Sequence, residues 1–325
     1  MPGSLRRGPI LTVLVLGYSS LARRRILPAL ARLGHTHVDI ASRTRTPGWP
    51  EGVTGRGFRD YREALEGSEA GLVYVSTRNH EHAPWAAAAL DAGRDVVIDK
   101  PAALSLADVR ALVDRAGTRG RLIAEATTWP WHPQVEALCA RIDEAGPVTR
   151  VVAHFSFPPL PADDVRHRAA WGGGALWDLG PYAVTAGRRI FGAAPDECLV
   201  RTATRPGDEV ETAFSVLLGY PDDRVLVGHF GSTTAYVNRL EVYGPRLALR
   251  LERAFTTAPD HPCRLVGEQA GARVDVEVPA ADAFERFLAD VVAASGHGPH
   301  KGFADLMLGD AEVLDRIRHA AGHGG

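Results

Sequence analysis

Lys100 is the residue whose type and position most directly suggest chemistry. It lies in Asp99-Lys100-Pro101, directly after the apolar run Asp95–Ile98, and Lys301 is the only other lysine among 37 lysines and arginines. A lysine can donate a proton near neutral pH when burial or a nearby cation lowers its pKa, whereas an arginine stays protonated. We therefore predict Lys100 as a general acid that protonates a carbonyl oxygen during reduction.

A second group of reactive side chains follows a run of three glycines at residues 172–174. Asp178 and Tyr182 are four residues apart in a segment whose pattern predicts a helix over Ala175–Phe191, so both project from one face. Such a carboxylate and phenol can bind substrate hydroxyl groups and relay a proton. A structural interpretation also stays open, in which Asp178 caps the helix and Tyr182 packs in the core. We predict Lys100, Tyr182 and Asp178 as the catalytic residues.

The first part of the chain alternates short apolar runs with segments of helical periodicity, which is typical of a doubly wound α/β sheet, a Rossmann fold. Right-handed helical crossovers make the strands parallel, and ligands of such sheets bind beyond the carboxyl ends of the strands, where Lys100 lies. The predicted strands are 11–16, Val38–Ala41, 71–76, Asp95–Ile98 and 122–126, and the predicted helices are 21–33, 61–65, 84–92 and 106–116.

After residue 125 the pattern changes to strand-like segments joined by short turns such as Tyr220-Pro221-Asp222-Asp223. This pattern predicts a C-terminal α+β domain with a largely antiparallel open sheet. We place a nucleotide-binding Rossmann domain at residues 1–125 and a substrate-binding and oligomerisation domain at residues 126–325. The predicted strands are 148–156, 211–218, Arg224–Gly231, 238–243, 247–251 and 273–278, and the predicted helices are 134–142, Ala175–Phe191, Ala283–Ala294 and 305–318.

The turn after the first predicted strand has the sequence Gly17-Tyr18-Ser19-Ser20-Leu21-Ala22 and leads into a helix. A dinucleotide fold places its pyrophosphate at such a turn, against the N–H groups and dipole of the helix N-terminus. The usual three-glycine fingerprint is reduced here to one glycine and two other small residues, which a strand-to-helix turn without a ligand would also use. We predict that the cofactor contacts Gly17, Ser19, Ser20, Leu21 and Ala22.

Ser42 and Arg43 follow the second predicted strand, at the position where an NAD-specific site usually has Asp or Glu. A carboxylate would repel a 2′-phosphate, whereas a hydroxyl group and a guanidinium group attract one. We therefore predict NADP (NADPH) as the cofactor in preference to NAD, with Ser42 and Arg43 among its contacts. The alternative is that Arg43 is a solvated loop residue.

The composition is that of a folded protein that acts on small molecules. The 325 residues are 45% hydrophobic and 23% charged, with a formal net charge of −2. No basic stripe indicates a nucleic-acid or membrane partner. No apolar stretch reaches the roughly 20 residues that span a bilayer.

Two weaker signals concern the compartment and metal binding. Arg6 and Arg7 before an apolar run faintly resemble a leader, but a buried strand fits that run better. Three scattered cysteines predict free thiols in a reducing compartment, the cytoplasm. The pairs His35/His37 and His80/His82 lack a third ligand, so we predict no metal site.

An ordered set of motifs resembles the Gfo/Idh/MocA (glucose–fructose oxidoreductase/inositol dehydrogenase) family from Leu11 to about Arg318. The matching segments are the Gly17–Ala22 turn, Asn79-His80-Glu81-His82, Asp99-Lys100-Pro101 where the family has Glu-Lys-Pro, Glu125-Ala126, His132-Pro133-Gln134 and 173–182. The resemblance implies hydride transfer between a nicotinamide and a sugar-like alcohol or ketone, with Lys100 at the reaction centre.

A narrower resemblance is to the nucleotide-sugar 3-ketoreductases of antibiotic deoxysugar pathways. Many family members have His where this chain has Tyr182, and the tyrosine is similar to that subgroup. The segments Phe155-Ser156-Phe157-Pro158-Pro159 and Arg253-Ala254-Phe255-Thr256 are similar to it as well. The implied substrate is a sugar or a ketosugar carried on a nucleotide.

The family resemblance also implies additional contacts. For the cofactor these are Thr77, His82, Lys100, Pro101, Arg166 and Trp171, and for the substrate they are Lys100, Asp178, Tyr182 and Tyr236. His82 equally fits a structural role. Other functions stay open: a non-catalytic NADP-binding sensor, or an enzyme of this fold that acts on a free sugar, a cyclic diol or an imine. Broad sheets of this type often pair across a two-fold axis, which makes a homodimer or higher homo-oligomer an expectation.

Overall fold

The computed structural model describes residues 11–322, so Arg6 and Arg7 of the leader-like segment lie outside the described residues. Contacts within the chain divide it into two compact units. The first contains residues 11–126 and Phe284–Leu308, and the second contains Thr127–Ala283 and residues 309–322.

Six parallel strands form the sheet of the first unit, in the order β3-β2-β1-β4-β5-β6. The order reverses between β1 and β4, which is the switch point where doubly wound sheets bind ligands. The predicted parallel sheet is confirmed, and β3 is too short to produce a sequence pattern. The strands are β1 (Val13–Leu16), β2 (Val38–Ala41), β3 (Gly57–Phe58), β4 (Leu72–Val75), β5 (Asp95–Ile98) and β6 (Ile123–Glu125).

Helices connect these strands, and local side chains fix where they start. The Asp60 carboxylate accepts hydrogen bonds from the N–H groups of Arg62 and Glu63, and the Ser105 hydroxyl accepts one from the N–H of Asp108. These two caps begin α2 and α4. The helices are α1 (Leu27–Arg32), which follows a π-helical turn at Ala22–Ile26, α2 (Tyr61–Gly67), α3 (Asn79–Asp91) and α4 (Leu106–Arg119).

The segment Phe284–Leu308 packs with the first unit, although the sequence division at residue 125 assigned it to the second domain. It holds most of α7 (Ala283–Ala294) and the start of α8 (Lys301–Ala320). The Ser295 hydroxyl and the Gly296 N–H donate to the Asp95 carboxylate of β5 at 2.7 and 2.8 Å. The buried carboxylate therefore fastens the end of α7 to the parallel sheet.

Eight strands form the sheet of the second unit, in the order β14-β13-β12-β11-β7-β10-β9-β8. All neighbouring pairs are antiparallel except β7 and β10, which confirms the largely antiparallel sheet. Strands β8 and β13 were not predicted, because their apolar alternation is weak. The strands are β7 (Arg150–Ser156), β8 (Glu197–Ala203), β9 (Ala213–Tyr220), β10 (Arg224–Gly231), β11 (Val237–Gly244), β12 (Leu247–Glu252), β13 (Cys263–Gln269) and β14 (Ala272–Val278).

Two helices, α5 (Pro133–Ala145) and α6 (Ala175–Phe191), pack against one face of this sheet. The strands alternate accordingly: in β9, Phe214 and Val216 are buried in the core, whereas Ser215 between them is exposed. Within residues 11–322, none of the helices is long and apolar enough to cross a membrane. Cys139, Cys198 and Cys263 are free thiols.

Candidate active site

Several predicted site residues lie next to one another at the carboxyl edge of the parallel sheet. Leu16 pairs with Val75, and Val75 pairs with Ile98, so that the residues that follow β1, β4 and β5 lie side by side. Ala41 pairs with Leu16 on the other side of β1. The residues directly after these four strands are Gly17, Ser42, Ser76 and Asp99.

Gly17 has a backbone conformation and surroundings that only glycine fits. Its φ is +99°, and a Cβ atom there would lie 2.2 Å from the carbonyl oxygen of Ser76. Its N–H donates to the carbonyl oxygen of Ala41 at 2.9 Å. Because no side chain intervenes, a ligand can approach the backbone of this turn closely.

The rest of the turn has the form of a capped helix start. The Ser19 hydroxyl accepts a hydrogen bond from the Ala22 N–H at 2.9 Å, as an N-cap side chain does. Ser20 is exposed, Leu21 is half-buried and Ala22 is buried. These predicted cofactor contacts therefore form one turn with Gly17, although the Ser19 hydroxyl is already used within the protein.

A chain of hydroxyl groups links this turn to the residue before Lys100. The Ser19 and Ser76 hydroxyl oxygens lie 2.7 Å apart, and Ser76 donates to the Asp99 carboxylate at 2.5 Å. The phenol of Tyr74 donates to the other oxygen of Asp99 at 2.7 Å. Burial raises the pKa of Asp99, although its interaction with His82 and the bonds from Ser76 and Tyr74 oppose the shift.

Lys100 follows Asp99 after the end of β5; it is half-buried, and its peptide bond to Pro101 is cis. The buried His82 holds the neighbouring loops together, because its Nδ1 lies 2.8 Å from the Pro101 carbonyl oxygen and its Nε2 lies 3.3 Å from the Thr77 carbonyl oxygen. The Glu125 carboxylate accepts a hydrogen bond from the Ala102 N–H at 2.8 Å. The segment around Lys100 is therefore fixed from two sides of the sheet edge.

Ser42 and Arg43 lie at the end of β2 but differ in accessibility. Ser42 is buried, and its hydroxyl accepts a hydrogen bond from the Arg45 N–H at 3.1 Å. The Arg43 side chain is exposed, pairs with Glu81 of α3 and lies over the Tyr61 ring at 4.6 Å. Hydrogen bonding to Glu81 raises the pKa of Arg43. Arg43 is therefore oriented rather than freely solvated.

Asp178 lies in the first turns of α6, in the second unit, and pairs with a residue that was predicted to contact the cofactor. The Arg166 Nε donates to its carboxylate at 2.9 Å, and the Arg166 Nη1 lies 3.2 Å from the Asp164 carboxylate. The charge of Asp178 raises the pKa of Arg166. The N-cap position of α6 is Gly174, which has no side chain to cap the helix.

The other predicted residues of the second unit are spread along it. Tyr182 is half-buried at the edge of the core, with ring centroids 5.2 Å from Phe155 and 5.5 Å from Phe255. Trp171 is half-buried at the end of a short 3₁₀ turn. Tyr236 is exposed between β10 and β11, and its phenol oxygen accepts a hydrogen bond from the Asn238 side chain at 3.1 Å.

The predicted residues thus fall into two groups, one in each unit. The sequence analysis did not name Ser76, whose hydroxyl lies 2.7 Å from that of Ser19, or Tyr74, which bonds to Asp99 beside Lys100. The sequence showed where these residues lie relative to the predicted strands, but it did not show which side chains they contact. Within residues 11–322, no group of three potential ligands could hold a metal ion.

Known protein families match both the N-terminal and the C-terminal part of the chain. Residues 11–127 match the oxidoreductase family with an NAD-binding Rossmann fold, and residues 138–250 match the GFO/IDH/MocA C-terminal domain. The chain is 32% identical to dTDP-3,4-didehydro-2,6-dideoxy-α-D-glucose 3-reductase of Streptomyces violaceoruber, over 94% of each protein. It is 30% identical to an uncharacterized oxidoreductase of Rhizobium meliloti, over 95% of this chain and 96% of the relative.

The likeness extends to solved structures. The 3-ketoreductase KijD10 of Actinomadura kijaniata, in complex with NADP and TDP-benzene, is 29% identical and superimposes with a TM-score of 0.89, over 96% of this chain and 98% of that one. Solved structures of that enzyme include variants of one of its lysines and one of its tyrosines. The protein has an NAD(P)-binding Rossmann domain and is an oxidoreductase of the GFO/IDH/MocA family.

Proposed function

We propose that the protein is an NADP-dependent reductase of a nucleotide-linked ketosugar and that it resembles the 3-ketoreductases in its reaction. The observation that carries this proposal is the half-buried Lys100 at the carboxyl edge of a parallel sheet whose strand order reverses between β1 and β4, next to β5. The full-length similarity to a reductase of a dTDP-linked sugar and to a 3-ketoreductase with bound NADP supports it.

The residues of the first unit fit a nicotinamide dinucleotide. Gly17 keeps the backbone of its turn free of a Cβ atom, and the turn continues into a helix N-terminus, whose N–H groups and dipole favour a pyrophosphate. Thr77, His82 and Pro101 belong to the adjoining loops and complete our proposed cofactor site. When bound, the nicotinamide supplies or accepts the hydride.

Besides the hydride, the reaction needs a proton and a correctly oriented substrate, and Lys100, Tyr182 and Asp178 would provide these. In the direction of reduction, a proton must reach the carbonyl oxygen of the substrate, and either the Tyr182 phenol or the Lys100 ammonium provides it. The Asp178 carboxylate, held by Arg166, would accept a hydrogen bond from a substrate hydroxyl group and orient the sugar. We retain Tyr236 as a proposed substrate contact.

The proposed preference for NADP rests on the end of β2. Ser42 and Arg43 occupy the position at which a carboxylate would select NAD, and Arg43 is oriented there by Glu81 and Tyr61. A guanidinium group can bind a 2′-phosphate through two parallel hydrogen bonds. The NADP-bound 3-ketoreductase neighbour supports the same preference.

Replacing the proposed acids tests this function. Lys100→Met and Tyr182→Phe should each lower kcat for NADP-dependent oxidation of a dTDP-hexose by roughly 10²–10⁴, because the group that donates the proton in reduction accepts it in oxidation. The dissociation constant of NADP, measured by calorimetry, should stay unchanged in Tyr182→Phe. Lys301→Met is the matched control, because Lys301 is exposed and pairs with Asp305 one helical turn away.

Three outcomes would contradict the proposal in different ways. Near-normal turnover in both variants, with NADP binding intact, would show that the roles are wrong. Tight NADP binding without oxidation of any sugar would indicate the non-catalytic sensor. Faster turnover of a free sugar or a cyclic diol than of any dTDP-hexose would reject the nucleotide-linked substrate and keep the reaction class.

A further inference from the structure

The segment Arg253-Ala254-Phe255-Thr256, in the second unit, takes no part in the mechanism proposed above. It begins the long connection from β12 to β13, residues 253–262, and its first residue has an unusual backbone. The φ of Arg253 is +55°, in the left-handed region that is costly for a residue with a Cβ atom. Within residues 11–322, the other three non-glycine residues with a positive φ lie in the tight turns between β9 and β10 and between β13 and β14. Arg253 adopts this conformation where no tight turn requires it.

Two buried side-chain amides hold this backbone in place. The Nε2 of Gln134, on α5, donates to the carbonyl oxygens of Arg253 and Ala254, each at 3.3 Å. The Oδ1 of Asn238, on β11, accepts a hydrogen bond from the Phe255 N–H at 2.9 Å. Both amide side chains belong to buried residues. Neighbouring elements thus impose the strained conformation on Arg253, and strain of this kind is typical of residues whose side chain has a function.

The guanidinium group of Arg253 is accessible and has no carboxylate partner. Arg253 is exposed, and its guanidinium carbon lies 5.6 Å from the centroid of the Tyr236 ring, a cation–π contact. Within residues 11–322, this guanidinium group makes no hydrogen bond and no ion pair. The carboxylate of the neighbouring Glu252 pairs with Arg239 and Arg250 instead. Arg253 therefore presents to solvent a positive charge that Tyr236 orients and that no ion pair of the described chain neutralises.

Arg253 is connected by packing to the proposed proton donor of the same unit. Phe255, two residues further along the chain, packs against Tyr182, with the ring centroids 5.5 Å apart. Two residues of chain span at most about 7 Å. In a nucleotide-linked sugar, the diphosphate is attached to the ring that carries the reacting carbonyl. The site for the diphosphate must therefore be near enough to the proton donor for one sugar ring and two side chains to bridge the gap, and Arg253 meets this requirement.

The chemistry of the side chain indicates a phosphate ligand. A guanidinium group stays charged and binds two phosphate oxygens through parallel hydrogen bonds, whereas glycine or asparagine would fit this backbone with less strain but would carry no charge. We propose that Arg253, oriented by Tyr236, binds the diphosphate group of a nucleotide-linked sugar. The inference rests on the proposed function, in which the substrate is such a sugar. It adds a residue that would distinguish a nucleotide-linked sugar from a free one.

Binding measurements on the NADP-saturated protein test the inference. Arg253→Asn removes the charge, and asparagine tolerates a positive φ better than arginine does, so the melting temperature should not fall. We expect the variant to bind dTDP and dTDP-glucose more weakly by the same factor, about ten- to hundredfold, as the loss of hydrogen bonds to a charged group would. Its affinity for NADP should stay unchanged, and Arg253→Lys, which keeps the charge, should recover part of the loss. Arg273→Asn is the matched control, because Arg273 is an exposed arginine of the same unit that pairs with Asp275.

The three ligands separate the diphosphate from the sugar and the substrate from the cofactor. The inference is overturned if Arg253→Asn weakens the binding of dTDP-glucose but not of dTDP, or of neither. A lower melting temperature with weaker binding of all three ligands would indicate a structural role and overturn it as well. A wild-type protein that binds neither dTDP nor dTDP-glucose contradicts the proposed nucleotide-linked substrate. In that case inorganic pyrophosphate becomes the probe, and the inference about Arg253 survives only if the wild type binds it and Arg253→Asn weakens that binding.

Discussion

At the scale of single residues, charge pairing around Arg43 bears directly on cofactor choice. Its guanidinium group is held by the Glu81 carboxylate and by the Tyr61 ring, yet 43% of the side chain remains exposed. A 2′-phosphate carries a charge of about −1.5 to −2 near neutral pH, more than a carboxylate. It would therefore compete successfully with Glu81 for the same guanidinium group.

This competition predicts opposite effects for two substitutions. Arg43→Ala should raise KM for NADP by roughly ten- to hundredfold, because hydrogen bonds to a charged group are lost, and should leave KM for NAD unchanged. Glu81→Gln should lower KM for NADP by about two- to fivefold, the value of an exposed ion pair. Steady-state kinetics with both cofactors measure these effects.

Arg110→Ala provides the control, since Arg110 is an exposed arginine on α4. It should change neither constant. If Arg43→Ala raises KM for NAD and KM for NADP equally, Arg43 does not bind the 2′-phosphate. If Glu81→Gln raises KM for NADP, the orientation that Glu81 gives to Arg43 matters more than its competition with the cofactor, and the predicted competition is wrong.

The sequence identified residues by type and position more readily than it identified their partners. Lys100 followed from the rarity of lysine and from the strand before it. The bonds from Tyr74 and Ser76 to Asp99, and the ion pair between Arg166 and Asp178, depend on which side chains packing brings within 3 Å. No local pattern encodes such contacts between residues distant in the sequence.

At the scale of elements, the glycines before α6 allow another side chain to approach the start of the helix closely. Gly174 has a φ of +110°, and the carboxylate of Glu211 fills the space where its Cβ atom would lie. That carboxylate accepts the Leu176 N–H and so takes the place of an N-cap side chain. The start of α6 therefore depends on a residue 35 positions later in the chain.

Alanine at two glycines should change thermal stability in opposite directions. Gly174→Ala should destabilise the protein by about 1–3 kcal/mol, since alanine rarely adopts this φ and its Cβ atom meets Glu211. Gly117→Ala, in the exposed interior of α4 with nothing near its Cβ position, should stabilise it by about 0.5–1 kcal/mol. Calorimetric melting of both variants compares them, and a Gly174→Ala variant as stable as the wild type would refute the close contact.

Element prediction succeeded where periodicity was strong. The bounds of Val38–Ala41, Asp95–Ile98, Arg224–Gly231 and Ala175–Phe191 agree with the structure, because apolar runs or one buried helical face define them. Strand β8 alternates half-buried and exposed residues at the sheet edge, so its pattern is faint. The π-helical turn at Ala22–Ile26 has no sequence signature of its own, since it adds one residue to a turn that otherwise reads as α-helix.

At the scale of the molecule, the first unit is not continuous in the chain. The segment Phe284–Leu308 returns to it and contributes Phe287, which is fully buried. Glu285 also pairs with Arg32 of α1 at 2.5 Å, and Arg25 lies over the Phe284 ring at 4.9 Å. Sequence could not reveal this return, because the two helices at the end of the chain are amphipathic and would cover either unit equally well.

We therefore expect the stability of the parallel sheet to depend on residues that follow the antiparallel sheet in the chain. Phe287→Ala should destabilise the first unit by about 3–5 kcal/mol through the cavity it creates. Hydrogen exchange of the amides in β1, β4 and β5 should accelerate, while that of β9 and β10 stays unchanged. Phe214→Ala, at a buried site of β9, is the matched control and should show the reverse pattern.

A fragment that ends at residue 126 extends the same argument. It lacks Ser295 and Gly296, so the Asp95 carboxylate keeps only the Leu122 N–H among the three donors described for it, and the surface that α7 covers becomes exposed to water. Its amides in β1 and β4 should exchange much faster than in the full chain, and its affinity for NADP should fall. If the amides of the fragment are as well protected from hydrogen exchange as those of the full chain, α7 adds no stability to the nucleotide-binding sheet. The remaining strands and helices would then suffice to hold Gly17, Ser76 and Asp99 at the edge of the sheet.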